Sequence, residues 1–268
     1  MRAYAARVGV ITERATPLLG GIADLLIPRC CVVCERLLHH ADAPMACDTC
    51  WARVVRPPHP QCHRCGHPVQ EGSCRWCPLL PPFVRSARSW CWVPGGVAER
   101  LVYALKYEGW QRLGAEMAQR MARLSWPDDV VHERAAVIPV PLSSSRFRER
   151  GYNQSELLAV ALARTWGIPH WNDVVQRPRA TSSQTRLTPE QRLTNVANAF
   201  RVAARESSRM RDAHIVLVDD VVTTAATLNA CATVLFDSGA RVISYVTFGR
   251  ARAPGDAPLT RGSAEHGH

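Results

Sequence analysis

Residues 214–227 read His-Ile-Val-Leu-Val-Asp-Asp-Val-Val-Thr-Thr-Ala-Ala-Thr, and no other stretch of the chain narrows its possible folds as much. The apolar run Ile215–Val218 has the length and composition of a buried parallel strand. Two adjacent acids, Asp219 and Asp220, end it. A turn of small and hydroxyl residues follows, Thr223-Thr224-Ala225-Ala226-Thr227, and Leu228, Cys231, Val234 and Leu235 then mark the apolar face of a helix. A strand, an acidic pair, a Thr-rich turn and a helix N-terminus together make a phosphate site. The N–H groups of the turn and the helix dipole attract an anion, and the Thr hydroxyls add donors. The two carboxylates would repel phosphate itself, so they suit sugar hydroxyls and a magnesium ion. A ligand carrying a phosphate next to a ribose fits all of these parts.

The rest of the second half alternates strand and helix signals. Val137–Val140 reads as a first core strand. Asn153 followed by Glu156 resembles a capping box, opening a helix from about Ser155 to Trp166. Upstream, Val97, Leu101, Val102 and Leu105 make one helical face, and Leu113, Met117, Met121 and Leu124 another, separated by Gly109. Pro127 with Asp128 and Asp129 ends that region. Residues 173–200 hold a polar excursion too long for a tight turn, with Arg177, Arg179, Gln184, Arg186 and Arg192. The signature helix runs to Asp237, with Gly239 as its C′ residue, and Val242–Phe248 is a further strand. Such alternation argues for a parallel α/β sheet.

Nine of the eleven cysteines fall between Cys30 and Cys77 and define an N-terminal module, with the Pro-rich stretch 78–82 as its exit linker. Cys31-x2-Cys34 and Cys47-x2-Cys50 form one set, and Cys62-x2-Cys65 and Cys74-x2-Cys77 a second. Each Cys-x2-Cys puts two thiolates on one side of a tight turn, and two such knuckles close a tetrahedral four-sulfur site that suits Zn²⁺. Gly66 after Cys65 fits such a turn. A disulfide framework and an iron–sulfur cluster are the alternatives. Disulfides are rare in cytosolic chains, and pairs spaced this closely make poor long-range staples. Both sites look closed, hence structural, and the metal would supply the folding energy of so small a module. Cys30 has no partner in this scheme and reads as a spare buried thiol, or else as a replacement for Cys31 as ligand. His63 and His67 lie close enough to compete as ligands, yet the eight cysteines already complete both sites.

A chain of 268 residues can bury one large core, or one core plus a small module. Its 47% hydrophobic and 21% charged residues are ordinary for a globular protein, and no apolar run approaches the ~20 residues of a membrane span. Glu13, Arg14 and Asp24 interrupt the apolar character of the first 27 residues. They read as an extension rather than a signal peptide, so a cytoplasmic location is expected. The net charge of +10 favours anionic partners, phosphorylated metabolites or nucleic acid, although the arginines are spread along the chain without a block of five.

The signature at 214–227 resembles the PRPP-binding signature of type I phosphoribosyltransferases. Three blocks narrow this further: Val137-Ile-Pro-Val-Pro-Leu-Ser-Ser-Ser-Arg-Phe-Arg-Glu-Arg-Gly-Tyr-Asn-Gln154, then Gln184-Thr-Arg-Leu with Arg192, Asn195 and Phe200, then the signature itself. In this order they resemble the ComF/GntX family over roughly residues 28–251. The resemblance implies a parallel-sheet type I phosphoribosyltransferase core with an N-terminal double zinc ribbon. With it the chain divides into an extension (1–27), a double ribbon (28–82), a phosphoribosyltransferase domain (83–251) and a tail (252–268) whose Gly, Pro and polar residues predict disorder.

The same resemblance implies roles. Asp219 and Asp220 would hold the ribose hydroxyls, and Thr223 to Thr227 the 5′-phosphate. Arg146, Arg148 and Arg150 sit where the family meets pyrophosphate, and alternating arginines can clamp its oxygens; the alternative is a solvated basic loop. Asn153 and Gln154 read equally as ligands or as cap and surface residues. The polar excursion corresponds to a loop that covers the active site, or else is an ordinary exposed loop. The family also carries a lysine at the position of Lys106. Two functions follow: transfer of phosphoribose from PRPP·Mg²⁺ to an acceptor with release of pyrophosphate, or a PRPP sensor or single-stranded-DNA-handling factor in DNA uptake. One residue departs from the family pattern, which has Thr-Thr-Gly-Ala-Thr where Ala225 replaces the glycine. Alanine costs roughly 1–2 kcal/mol if the position takes φ > 0 and nothing if it lies near αR. The small neighbours Thr224 and Ala226, and the helix the loop opens, favour the harmless case.

Overall fold

The structure is a computed structural model and describes residues 29–38, 44–69, 74, 76–177, 199–203, 206–252 and 256. The N-terminal extension, most of the polar excursion and most of the tail lie outside the described residues.

In chain order the elements are α1 (Asp48–Ala52), β1 (Val84–Trp92), α2 (Gly96–Tyr107), α3 (Arg112–Ala122), α4 (Asp128–Glu133), β2 (Arg134–Pro139), α5 (Ser144–Arg150) and α6 (Gln154–Trp166). The short strands β3 (Val175–Gln176) and β4 (Arg201–Val202) come next, then α7 (Ser207–Met210), β5 (His214–Val222), α8 (Ala226–Asp237) and β6 (Val242–Arg250). Four strands form an all-parallel sheet in the order β1-β6-β5-β2, and β3 pairs antiparallel with β4. The expected parallel α/β fold is observed, with the strand at 137–140 beginning three residues earlier and the one at 215–218 running on through both acids.

Side chains alternate between the two faces of the sheet, and each face has its own core. Val137, Val216, Val218, Val246 and Phe248 pack with the helical residues Leu101, Leu105, Leu113, Met117, Met121, Leu158 and Leu162. The faces of α2 and α3 are those the periodicity predicts, and α6 presents Leu158 and Leu162 to the same core. On the opposite face Ile138, Ile215, Leu217, Ile243 and Tyr245 pack with Leu228, Cys231 and Leu235 of α8. Both faces are covered, which is why β5 opens on a continuous apolar run, Ile215–Val218.

Four sequence readings change. β1 is absent from them because Val84-Arg-Ser-Ala-Arg-Ser-Trp-Cys-Trp carries too many polar residues to look like a buried strand. Its neighbours satisfy those groups: Arg88 donates to the carbonyls of His63, Ala87 and Ser125, and Ser89 bonds Thr247 at 2.7 Å. β1 is also the sheet edge, and the cysteine module covers it. Ala87 N–H donates to the Arg64 carbonyl at 2.7 Å and Trp92 N–H to that of Val55 at 3.0 Å, so the edge offers fewer open donors. The stretch 78–82 is no loose linker, since Arg64 donates to the carbonyls of Cys77, Leu80, Pro81 and Val84 and locks it to β1. Asp128 and Asp129 open the short helix α4 after Pro127, where negative charge suits the helix N-terminus. Finally, Arg146–Arg150 belong to α5 instead of a loop, with Ser143 as N-cap accepting from Arg146 N–H.

Candidate functional site

The acidic pair lies at the carboxyl end of β5, beside the strand's crossover into α8. Asp219 accepts from the Ser155 hydroxyl at 2.8 Å and from the Asp220 N–H at 2.9 Å. Ser155 stands in the first turn of α6, opened by Asn153, whose side chain accepts from Ser155 N–H and donates to the Val140 carbonyl. Asn153 and Gln154 are thus cap and interior residues: Gln154 is only 3% exposed. Half of the expected capping box forms, because Glu156 pairs with His170 at 3.1 Å. Asp220 is buried and makes an ion pair with Lys106, in the last turn of α2. Burial first, and then the Asp220 charge, raise the Asp219 carboxyl to about 7, against the opposing hydrogen bond from Ser155. The burial of Asp219 and the nearby Asp220 charge thus favour a protonated Asp219.

The loop turns sharply after Val222. Thr223 and Thr224 are exposed and Ala225 is buried. Ala225 has φ 60° and ψ 4°, the left-handed conformation, which overturns the expectation of a harmless αR geometry. The alanine carries the αL strain of about 1–2 kcal/mol. Ala225 is the N-cap of α8, and no side chain caps that helix. The helices α5 and α6 use Ser143 and Asn153 for this purpose. As in α2, α3 and α4, no side chain among the described residues accepts from the first N–H groups of α8; these follow the exposed Thr223 and Thr224, and an anion there would satisfy them.

Arg150 donates to Gln154 Oε1 at 2.9 Å and to Tyr107 Oη at 3.2 Å, with its guanidinium over the Tyr107 ring. Arg146 and Arg148 are exposed on the same short helix. Arg177, at the start of the polar excursion, sits over Phe200. Burial first, and then the neighbouring Arg146 charge, lower its pKa, while Asp219 pulls the other way, so Arg146, Arg177 and Asp219 share one electrostatic neighbourhood. Arg179, Gln184, Arg186 and Arg192 lie outside the described residues. Lys106 and Ser155 were not legible as partners of the acids, because only the sheet's crossovers bring α2 and α6 to the end of β5.

Each cysteine set forms a tetrad whose four sulfurs lie within 4.8 Å of one another. A tetrahedron with 2.3 Å metal–sulfur bonds has edges of about 3.8 Å. Cys31–Cys50 and Cys34–Cys47 are both 3.8 Å apart, and Cys47 N–H donates to Cys31 Sγ at 3.3 Å. In the second set Cys62–Cys77 is 3.3 Å and Cys65–Cys74 is 3.2 Å. These separations far exceed a disulfide bond of about 2.05 Å, and none of the eight thiols is in a disulfide. The first set has the tetrahedral spacing and the second is drawn in more tightly, and in each four converging thiols are a donor set that fits Zn²⁺. Gly66 has φ +64°, and a Cβ there would meet the Ala87 carbonyl oxygen at 2.7 Å. His67 packs between Trp76 and Trp92 and pairs with Asp256, away from the competition for metal. Cys30 is exposed, not buried as its sequence context suggested.

A parallel sheet with an acidic pair and an uncapped helix at its carboxyl end defines a type I phosphoribosyltransferase fold, here joined to a double cysteine ribbon. A double zinc ribbon domain matches residues 22–79, and a phosphoribosyl transferase domain matches residues 154–259. DNA utilization protein YhgH of Salmonella typhi is 32% identical over 229 residues, covering 82% of this chain and 96% of its own. Competence protein F of Haemophilus influenzae is 37% identical over 141 residues, covering 53% of this chain and 57% of its own. Among solved structures, a glutamine PRPP amidotransferase from B. subtilis is 18% identical, covering 50% of this chain and 25% of that chain with a TM-score of 0.36. The chain belongs to the ComF family. No helix among the described residues is long and apolar enough to cross a membrane.

Proposed function

We propose that this protein binds PRPP with Mg²⁺ and transfers its phosphoribosyl group to an acceptor, releasing pyrophosphate, in the cytoplasm. The observation that carries this reading is the uncapped N-terminus of α8 placed just after the acidic pair, whose Asp219 carboxyl burial raises. Thr223 to Thr227 would receive the 5′-phosphate. Asp219 and Asp220 would accept from the ribose hydroxyls, and the oxygen-rich surroundings suit Mg²⁺ on the pyrophosphate. Arg146, and Arg150 after leaving Tyr107, would bind the departing pyrophosphate. In the transfer the bond from the ribose C1 to the pyrophosphate oxygen breaks, the acceptor's bond to C1 forms, and the acceptor loses a proton. Catalysis would rest on positioning and charge stabilisation, with no covalent intermediate. Both tetrads would hold structural Zn²⁺.

Calorimetric titration with PRPP and Mg²⁺, followed by a pyrophosphate-release screen against bases and amines, tests the reading. Saturable Mg²⁺-dependent binding and acceptor-dependent pyrophosphate release are expected. Absence of PRPP binding would refute it.

A second reading, handling of single-stranded DNA during uptake, is favoured by one surface. Tyr103 and Tyr107 are about half exposed and in ring contact, with Arg100 over Tyr103 and Arg150 over Tyr107. Phe147 is exposed on α5, one turn before Arg150. Exposed rings interleaved with arginines suit stacked bases and a phosphate backbone. The names of the relatives, DNA utilization protein and Competence protein F, point the same way. Binding on the order of micromolar at physiological salt, falling steeply with added salt and with little sequence preference, is expected. Salt-insensitive, sequence-specific binding would contradict this electrostatic account.

A further inference from the structure

The two tetrads stand at different distances, in bonds, from the phosphate loop. The second tetrad ends at Cys77, which opens the 3-10 turn Cys77–Leu79. The Leu79 carbonyl accepts from the Asn229 side chain at 2.8 Å. Asn229 is in the first turn of α8, and its N–H donates to the Ala225 carbonyl at 2.8 Å, while its Oδ1 accepts from Tyr245 Oη at 3.1 Å. A short run of hydrogen bonds thus joins a tetrad ligand to the left-handed residue of the loop.

A second connection runs through the interior. A small cavity is lined by Cys65, Trp76 and Arg250 on the ribbon side and by Val222, Ala225 and Leu228 on the loop side. Arg250 is 3% exposed, donates to the Cys65 carbonyl and lies over the Trp76 ring. Its Nε and Nη1 have no hydrogen-bond partner among the described residues. The next residue, Ala251, donates from its N–H to the Val222 carbonyl at 2.7 Å, at the start of the loop. The back of the phosphate loop therefore rests on the second ribbon. The first tetrad lies in the other core, with Trp51 and the helices α2, α3 and α6.

We propose that metal in the second tetrad and the phosphate ligand in the loop bind cooperatively, through Asn229 and Arg250 as positioning residues, whereas metal in the first tetrad does not take part. The proposal rests on the loop being the PRPP phosphate site. A folded second ribbon fixes the Leu79 carbonyl and Arg250, and these fix the helix N-terminus whose N–H groups hold the anion. By reciprocity, a ligand that favours the ordered loop must tighten the second tetrad by the same factor.

The test follows zinc release from the full chain to a chromogenic chelator, with and without saturating PRPP·Mg²⁺. Release in two phases is expected, with one phase slowed about five-fold or more by PRPP, the low end of common coupling energies. Cys34→Ser, which removes a first-tetrad ligand, should retain the slowed phase alone. Cys74→Ser should retain only a phase that PRPP leaves unchanged, which also controls for zinc binding by PRPP itself. Asn229→Ala should still fold and hold both metals, yet lose most of the slowing. Slowing of both phases alike, or slowing that persists undiminished in Asn229→Ala, overturns the coupling. PRPP binding shown by calorimetry without any effect on release overturns the coupling and leaves the site assignment standing. Absence of PRPP binding overturns both.

Discussion

The two ribbons use one motif and carry different loads. Each knuckle turns through a left-handed residue just after the second cysteine of its first pair, Glu35 at φ 60° in one and Gly66 at φ 64° in the other. In both, that residue's N–H bonds the carbonyl of the first cysteine at 2.9 Å. Glu35 is exposed, so a side chain is tolerated there. Gly66 presses against the backbone of β1, where a Cβ has no room. The first ribbon meets the sheet through an aromatic joint: Trp51 packs edge-on against Trp90 and Phe248, lies under Arg120 and donates to Glu116. The second meets it through arginines, with Arg64, Arg88 and Arg250 donating to backbone carbonyls. An apolar joint supplies stability without directionality. A hydrogen-bonded joint fixes position, and it stands behind the proposed phosphate loop, where position would matter.

The largest test of this contrast is Trp51→Ala. It should cost ~3–5 kcal/mol of stability, as for other buried large-to-small changes, while leaving PRPP affinity in the surviving folded protein unchanged. Denaturant unfolding beside calorimetry would show it, and a matching loss of affinity would break the contrast. A smaller effect of opposite sign is expected on the ligand face. The Asp219 carboxyl titrates at about 7 in the folded chain, above its ordinary value. The stability this group contributes is full below pH ~4 and is lost as pH rises through about 7. Asp219→Asn should therefore stabilise the protein by about 1–2 kcal/mol at pH 8 and by nothing near pH 4, while abolishing Mg²⁺-dependent PRPP binding. Thermal melts across that range would check it, and a stabilisation independent of pH would contradict the raised Asp219 carboxyl. The smallest effect belongs to Ala225→Gly. Relief of αL strain less the added chain entropy of glycine leaves a gain of about 0.5–1 kcal/mol. A destabilised glycine variant would mean that the alanine methyl contributes more packing beside Leu228 than its backbone costs.

Much of this architecture was legible in the chain. The Cys-x2-Cys spacing placed both tetrads, because two residues between ligands leave one geometry for a knuckle. The faces of α2 and α3 followed from helical period, the start of α6 from its Asn153 cap, and β5 with its acids and loop from a run that only a covered parallel strand would carry. β1 was hidden because its arginines and serines are satisfied by partners far away in sequence. Lys106 and Ser155 were hidden as partners of the acids for the same reason.

The sequence by itself determined the cysteines of the tetrads, the strand–acid–loop–helix order of the proposed phosphate site and the parallel class of the sheet. Each is set by residues close together in the chain, where spacing and period act directly. Only the tertiary structure decided that Ala225 is left-handed, that Lys106 neutralises Asp220 and that the second ribbon, not the first, supports the loop. These depend on which carbonyl or charge is brought within about 3 Å by chain crossovers, and a hydrogen bond at that range has no signature in local sequence.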